Sequence, residues 1–187
     1  MSKYTANTAG PTAAAIVLFW REAGPSRWFK KDNNFDRALT ARFHSAHLQA
    51  AERQLDRWND NAEGALALQI LLDQLPRNVY RGNAHAYATD PLARYFALAA
   101  IDAGIDQQVH PELRPFCYMS LMHAEDLALQ RRCVALFEVL GGSALSYARE
   151  HCEIIERFGR FPHRNPVLGR VTTAEEKAFL AAGGFAG

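Results

Sequence analysis

The segment ALALQILLDQLPRN, residues 65–78, determines the predicted fold class of this chain. From Ala65 to Leu75 it is apolar on nearly every face of a helix, which is typical of a central helix packed on all sides. Asp73 and Arg77 are four residues apart, so a helix places them on one face. Because an unpaired buried charge is costly, we expect Asp73 to pair with Arg77.

Helical patterns continue on both sides of this segment. Asp90 before Pro91 indicates an N-cap, and Thr173 with Glu176 indicates a capping box. No segment shows the alternation typical of a half-buried strand. The further helices are expected over about residues 12–23, 34–58, 92–103, 111–140, 143–158 and 173–183. Such helices joined by short turns predict an all-α stack of antiparallel helix pairs.

Length and composition favour one domain with its own core. The chain has 187 residues, of which 49% are apolar, enough to bury a sizeable core without disulfides or metals. Residues 1–11 are predicted to form a loose leader, and residues 12–187 a single helical domain. The formal net charge of +1 gives no field that would draw the protein onto nucleic acid, so no nucleic-acid partner is predicted.

Cysteine usage and the apolar runs indicate a soluble protein. Cys117, Cys133 and Cys152 are widely spaced in apolar stretches, which favours reduced core thiols over disulfides or a zinc site. The apolar run at residues 13–20 lacks the flanks of a signal peptide, and no run approaches the ~20 residues of a membrane span. We therefore predict a cytoplasmic protein with no membrane partner.

A second group of chemically active residues lies in MHAEDLALQ, residues 122–130. On a continuous helix, His123, Asp126 and Gln130 would present an imidazole, a carboxylate and an amide on one face. A histidine oriented by a carboxylate is the arrangement of a general base, and it is also how a buried histidine is satisfied. The pattern leaves both interpretations open.

The third group is the strongly basic segment RFGRFPHRN, residues 157–165. Its arginines suit a phosphate or carboxylate ligand by charge and geometry, and they would equally serve to neutralise Asp73, Glu125 and Asp126. If this segment meets LDQLPRN, the two form one polar cleft. Its predicted ligand-binding residues are Arg77, Asn78, Arg81, Arg160, His163, Arg164 and Asn165. The predicted structural polar network consists of Asp73, Gln74, Glu125, Gln130 and Arg157.

Together these motifs resemble the bacterial family known as domain of unknown function 924. The resemblance implies a tetratricopeptide-like all-α fold and no established activity. Where the family usually has His-Ser-Glu, this chain has His123-Ala124-Glu125, which excludes a serine nucleophile at that position. The likeness spans about residues 17–180 and rests on Phe19-Trp20, Gly64 to Gly82, Ala88 to Pro91, Met122 to Gln130 and Arg157 to Arg170.

The sequence supports three hypotheses about function. The first is a binding module whose polar cleft captures an anionic small molecule or an acidic peptide. The second is an enzyme of hydrolase or lyase type, with His123 as general base and Asp126 orienting it. The third is a scaffold that binds a protein partner and whose polar network only fixes the helices. His44 and His47 share a helix face but lack further ligands, so no metal and no cofactor are predicted.

Overall fold

The computed structural model describes residues 10–187, and these residues form helices and turns without any β-strand. The predicted all-α class is confirmed. The leader predicted for residues 1–11 lies almost entirely outside the described residues. The helices, in chain order, are α1 (Ala13–Ala23), α2 (Pro25–Trp28), α3 (Asn33–Ala51), α4 (Ala62–Gln69), α5 (Leu75–Val79), α6 (Asp90–Asp102), α7 (Met119–Met122), α8 (Leu127–Leu140), α9 (Ala144–Phe158) and α10 (Ala174–Ala181).

Helices α4 and α5 form the central segment that the sequence predicts, with one π-helical turn, Ile70–Gln74, between them. The side chains of Ile70, Leu71 and Leu72 are completely buried. Helices α1, α3 and α6 pack around this segment. Because the π-helical turn lies inside the core, it carries the charged side chain of Asp73 into apolar surroundings.

Gly64 in the first turn of α4 lets a 3-10 turn, Asp56–Asp60, lie directly against the helix. A Cβ atom at this position would be 2.1 Å from the backbone oxygen of Trp58. No side chain fits there, so glycine sets how closely the preceding turn approaches the central segment.

The core divides into a large cluster and a small C-terminal one. In the large cluster, the ring of Trp20 is fully buried and packs edge-on against Phe116, with ring centroids 5.4 Å apart. The small cluster joins Ile154, Ile155 and Phe161 to the side chains that follow α9. Among the described residues, no helix has the length and apolar character needed to cross a membrane.

The continuous helix predicted over residues 111–140 is wrong. The chain instead forms a 3-10 turn at Arg114–Cys117, the short helix α7, and a break before α8 begins. The side-chain amide of Gln130 donates to the carbonyl oxygens of Met122 and Ala124, at 2.6 and 2.7 Å. In a continuous helix these carbonyl oxygens would accept backbone N–H groups. Here the Gln130 side chain on α8 replaces those donors and so stabilises the break.

The two predicted helix starts have different outcomes. Thr173 and Glu176 form both hydrogen bonds of a capping box, as predicted. Asp90 is not an N-cap, because Thr89 precedes α6 and Asp90 is its first helical residue. The carboxylate of Asp90 is bound by arginines instead. The long helix predicted over residues 34–58 also ends earlier, at Ala51.

Candidate functional site

Asp73 is the centre of a buried ionic network on the central segment. Its Oδ1 atom lies 3.0 Å from Nη1 of Arg77 and 2.8 Å from Nδ1 of His123. Gln74 donates to its Oδ2 atom at 2.6 Å. Burial alone would raise the pKa of Asp73, but the charge of Arg77 and the hydrogen bond from His123 outweigh it and hold the pKa far below its usual range. The predicted pairing of Asp73 with Arg77 is therefore confirmed, and Asp73 is a carboxylate at neutral pH.

Asp90 brings the two arginine-rich segments together. Arg77 binds its carboxylate with two hydrogen bonds, of 2.9 and 3.0 Å. Arg164 approaches the same carboxylate from the turn Pro162–Arg164, with Nη1 3.6 Å from Oδ2. The segments that contain Arg77 and Arg164 thus share one acidic residue, and we refer to Asp73, Arg77, Asp90, His123, His151 and Arg164 as the Arg77–Arg164 site.

Arg164 occupies an unusual position for a cation. Its side chain is only 7% exposed, and its buried Nε atom has no hydrogen-bond partner among the described residues. The guanidinium carbon lies 4.6 Å from the ring centroid of Tyr87 and 4.4 Å from that of Phe161. Burial and the charge of Arg77 lower the pKa of Arg164 to about 10, so it stays charged at neutral pH. Stacking on two rings stabilises the charge but leaves its directional N–H donors free.

Three neutral imidazoles lie next to these arginines. Burial, together with the charges of nearby arginines, lowers the pKa of His123 below its usual range, that of His151 to about 4 and that of His163 to about 3. The rings of His123 and His151 have centroids 6.3 Å apart. Phe185, from the segment after α10, packs on His151 at 4.5 Å and on His163 at 5.1 Å. His123 is more accessible than His151, with 17% of its side chain exposed.

His163 lies beside the site, with its ring packed on Phe161 and Phe185, but the other predicted ligand-binding residues are not brought there. Asn78 and Arg81 both donate to Asp36 of α3. Arg160 and Asn165 both donate to Glu176 of α10. The single cleft predicted to contain all seven residues is therefore split over three places. The reason is that residues close in sequence lie on different helix faces and meet different neighbouring helices.

The predicted orientation of His123 by Asp126 is also wrong. Asp126 is exposed and caps α8 by accepting a hydrogen bond from the backbone N–H of Leu129 at 3.0 Å. Because the chain breaks between α7 and α8, the helical spacing on which this prediction depends does not exist. The partner of His123 is Asp73 instead.

The remaining residues of the predicted polar network serve local structure. Glu125 binds Arg170 at 2.6 and 2.9 Å and accepts the backbone N–H of Phe161 at 2.8 Å, which fixes the loop before the Pro162–Arg164 turn. Of the three carboxylates that the basic C-terminal arginines could neutralise, Glu125 is paired with one of them, Arg170, whereas Asp73 pairs with Arg77. Arg157 pairs with Glu175 on the surface, where its side chain is 53% exposed.

The sequence interpretation misses two members of the site, Asp90 and His151, and also Tyr87, which packs on Arg164. The cap pattern assigns Asp90 to a helix start, while His151 and Tyr87 belong to no motif. One signal was available for His151, because α9 places it on the same face as the buried residues Ala148 and Ile155. Within the described residues, no group of three or more histidine, cysteine or acidic side chains is arranged to hold a metal ion.

The fold and the site define an all-α protein with a buried arginine, histidine and aspartate site around a central helix. The family model described as "Bacterial protein of unknown function (DUF924)" matches residues 16–184, and the chain belongs to this family. The chain is also similar to the solved structure of a protein of unknown function from Agrobacterium tumefaciens, with 55% identity and a TM-score of 0.89. That match covers 91% of this chain and 97% of the Agrobacterium chain. A search of curated proteins gave no match.

Proposed function

We propose that the protein binds a small anionic molecule, a carboxylate or a phosphate, at the Arg77–Arg164 site. The observation that carries this proposal is the guanidinium of Arg164. It is buried, charged and stacked between two aromatic rings, yet its Nε atom has no hydrogen-bond partner in residues 10–187 and its ion pair with Asp90 is long. A buried guanidinium normally has its donors satisfied, because each unsatisfied one costs free energy.

The geometry around Arg164 favours an anion as the missing partner. The carboxylates of Asp73 and Asp90 equal the two guanidinium groups in number, but Arg77 makes the close contacts with both carboxylates. Arg164 forms an ion pair only with Asp90, which Arg77 also binds, and the 3.6 Å separation is too long for a hydrogen bond. An anionic oxygen would give Arg164 the short, charge-assisted bonds that it lacks, and the planar guanidinium suits a carboxylate or phosphate group.

The test is a thermal-shift screen of the protein against phosphate, sulfate and simple carboxylates. A ligand present at 100 times its Kd adds ~2.7 kcal/mol, which raises the Tm of a chain this size by roughly 5–10 °C. We expect Arg164→Met to abolish the shift, because methionine retains an apolar stem but has no N–H donors. The matched control is Arg157→Gln, which removes an exposed arginine and should keep the full shift. Equal shifts in the Arg164→Met variant and the unsubstituted protein would contradict the proposal.

A second candidate function is general-base catalysis of hydrolase or lyase type by His123. It is supported by the 2.8 Å hydrogen bond between Asp73 and Nδ1, which orients the ring, and by a lowered pKa that keeps the imidazole neutral. Such a base would take a proton at Nε2, and Arg77 would stabilise negative charge that develops nearby.

This second function can be tested with a panel of carboxylic and phosphoric esters. His123→Gln should abolish any hydrolysis of the panel. Asp126→Asn should leave hydrolysis unchanged, because Asp126 only caps α8 and asparagine caps equally well. Loss of activity in the Asp126→Asn variant would contradict the assigned orientation of His123 by Asp73.

A further inference from the structure

The hydrogen bonds of two histidines fix which ring nitrogen carries the proton. Nδ1 of His123 lies 2.8 Å from the carboxylate of Asp73, and Nδ1 of His151 lies 2.8 Å from the backbone oxygen of Tyr147. Both partners can only accept a hydrogen bond, so Nδ1 of each ring is the donor. The Nε2 atom of each neutral ring is therefore an acceptor with a free lone pair.

Neither Nε2 atom has a hydrogen-bond partner among the described residues. Both rings belong to the surroundings of Arg164. Their centroids are 6.3 Å apart, the His151 ring lies 5.4 Å from the ring of Phe161, and Phe161 stacks against the Arg164 guanidinium at 4.4 Å. Among the described residues, the site thus combines the buried, unpaired Nε donor of Arg164 with two imidazole Nε2 acceptors that bond no protein group.

A simple carboxylate or a fully ionised phosphate matches only half of this arrangement. Its oxygens accept hydrogen bonds from Arg164, but it has no N–H or O–H group to offer the imidazoles. Placing anionic oxygens against two lone pairs would be unfavourable, because like partial charges would face each other. The complementary ligand has an anionic group at one end and a hydrogen-bond donor at the other.

We infer that the site takes a small carboxylate that also carries a hydroxyl or ammonium group. The carboxylate binds Arg164, and the hydroxyl or ammonium group donates to Nε2 of His123 or His151. This inference rests on the proposed anion site and specifies its ligand. Hydroxy acids and amino acids share the required chemistry, and binding measurements distinguish them.

The experiment is titration calorimetry at pH 7.5 with two matched series of acids. The first series is acetate, glycolate and glycine, and the second is propionate, 3-hydroxypropionate and β-alanine, so that the donor lies at two distances from the carboxylate. We expect at least one hydroxy or amino acid to bind about 10-fold more tightly than the unsubstituted acid, the effect of one added hydrogen bond. The acid whose affinity increases most over that of the unsubstituted acid shows whether the donor is a hydroxyl or an ammonium group.

Two variants, His151→Phe and His123→Phe, identify which histidine accepts the hydrogen bond from the ligand. Phenylalanine keeps a flat ring against Phe161 and Phe185 but removes the lone pair. We expect one of the two variants to bring the affinity ratio between the hydroxy or amino acid and its unsubstituted acid to about one. The exposed His85 lies outside the site, and His85→Phe should keep the full preference.

A measurement without substitutions complements the variants. The ¹⁵N resonance of the accepting Nε2 should move when the preferred acid binds and stay in place with acetate. Equal affinities within both series, together with loss of all binding in the Arg164→Met variant, would overturn the inference and leave the anion site intact. No binding by any member of either series would overturn the inference and the carboxylate form of the proposed function together.

Discussion

At the residue scale, the site contains one ion pair that the sequence spacing predicts and several contacts that the spacing does not predict. Asp73 and Arg77 are four residues apart on a helix, so their contact follows from helix geometry. His123 is 50 residues from Asp73, and no local rule connects them. Helical spacing predicts Asp126 as the partner of His123, but this spacing does not apply because the helix is interrupted between α7 and α8.

The buried histidines give a testable dependence of stability on pH. His163 has its pKa lowered to about 3 by burial and by Arg164, whereas an unfolded histidine titrates near pH 6.5. Between these values the unfolded chain binds a proton that the folded protein does not. The stability contributed by the neutral ring is therefore complete above about pH 6.5 and is lost as the pH falls toward 3.

We expect His163→Gln to weaken the loss of stability on acidification. Between pH 6 and pH 5, the free energy of unfolding of the variant should fall less steeply than that of the unsubstituted protein, by about 1 kcal/mol per pH unit. Urea denaturation at the two pH values measures this slope. His85→Gln on the surface is the matched substitution and should follow the unsubstituted protein. Identical slopes for His163→Gln would show that the ring of His163 is solvated.

At the scale of helices and turns, apolar periodicity predicts the central segment, α1 and the extent of α9, and the spacing of Thr173 and Glu176 predicts the capping box of α10. It did not predict the break between α7 and α8, because the residues there carry no glycine or proline signal. The break depends on the side chain of Gln130, which lies in the next helix and replaces backbone hydrogen bonds. Similarly, Asp90 matches the N-cap pattern in sequence, but its carboxylate binds Arg77 and Arg164 instead of capping α6.

Gln130→Leu tests this account of the helix break. The substitution keeps the buried volume but leaves the carbonyl oxygens of Met122 and Ala124 without a donor, so we expect the free energy of unfolding to fall by about 2–4 kcal/mol. Gln108→Leu is the control, since Gln108 is exposed, and it should change stability by no more than about 0.5 kcal/mol. A Gln130→Leu variant as stable as the control would mean that the break forms without this side chain.

At the scale of the whole molecule, the site exists because distant parts of the chain meet. Arg77 comes from the central segment, Asp90 from the start of α6 and Arg164 from the turn after α9. The sequence correctly suggested that two arginine-rich segments would share a polar site, and one residue of each does so. Their neighbours face α3 and α10, because helix packing decides which face meets which partner. The tetratricopeptide-like arrangement and the cytoplasmic location stay predictions.

The contacts of the two arginines in the site indicate different roles: Arg77 stabilises the fold, whereas Arg164 is available to bind a ligand. Arg77 joins Asp73 and Asp90 through close contacts, so its removal leaves two buried carboxylates without their cation. Apart from its stacking on Tyr87 and Phe161, Arg164 adds only a long ion pair to a carboxylate that Arg77 already satisfies. Replacing Arg164 by an apolar side chain of similar length should therefore cost the fold little.

The most direct test of this account is the free energy of unfolding of Arg164→Met and Arg77→Met in the absence of ligand, measured by urea denaturation. We predict that Arg164→Met lies within about 1 kcal/mol of the unsubstituted protein or above it, because a buried unsatisfied cation is replaced by a packed apolar chain. Arg77→Met should lose about 3–5 kcal/mol. A loss of about 3 kcal/mol or more for Arg164→Met would contradict the account, because it would make Arg164 a structural residue.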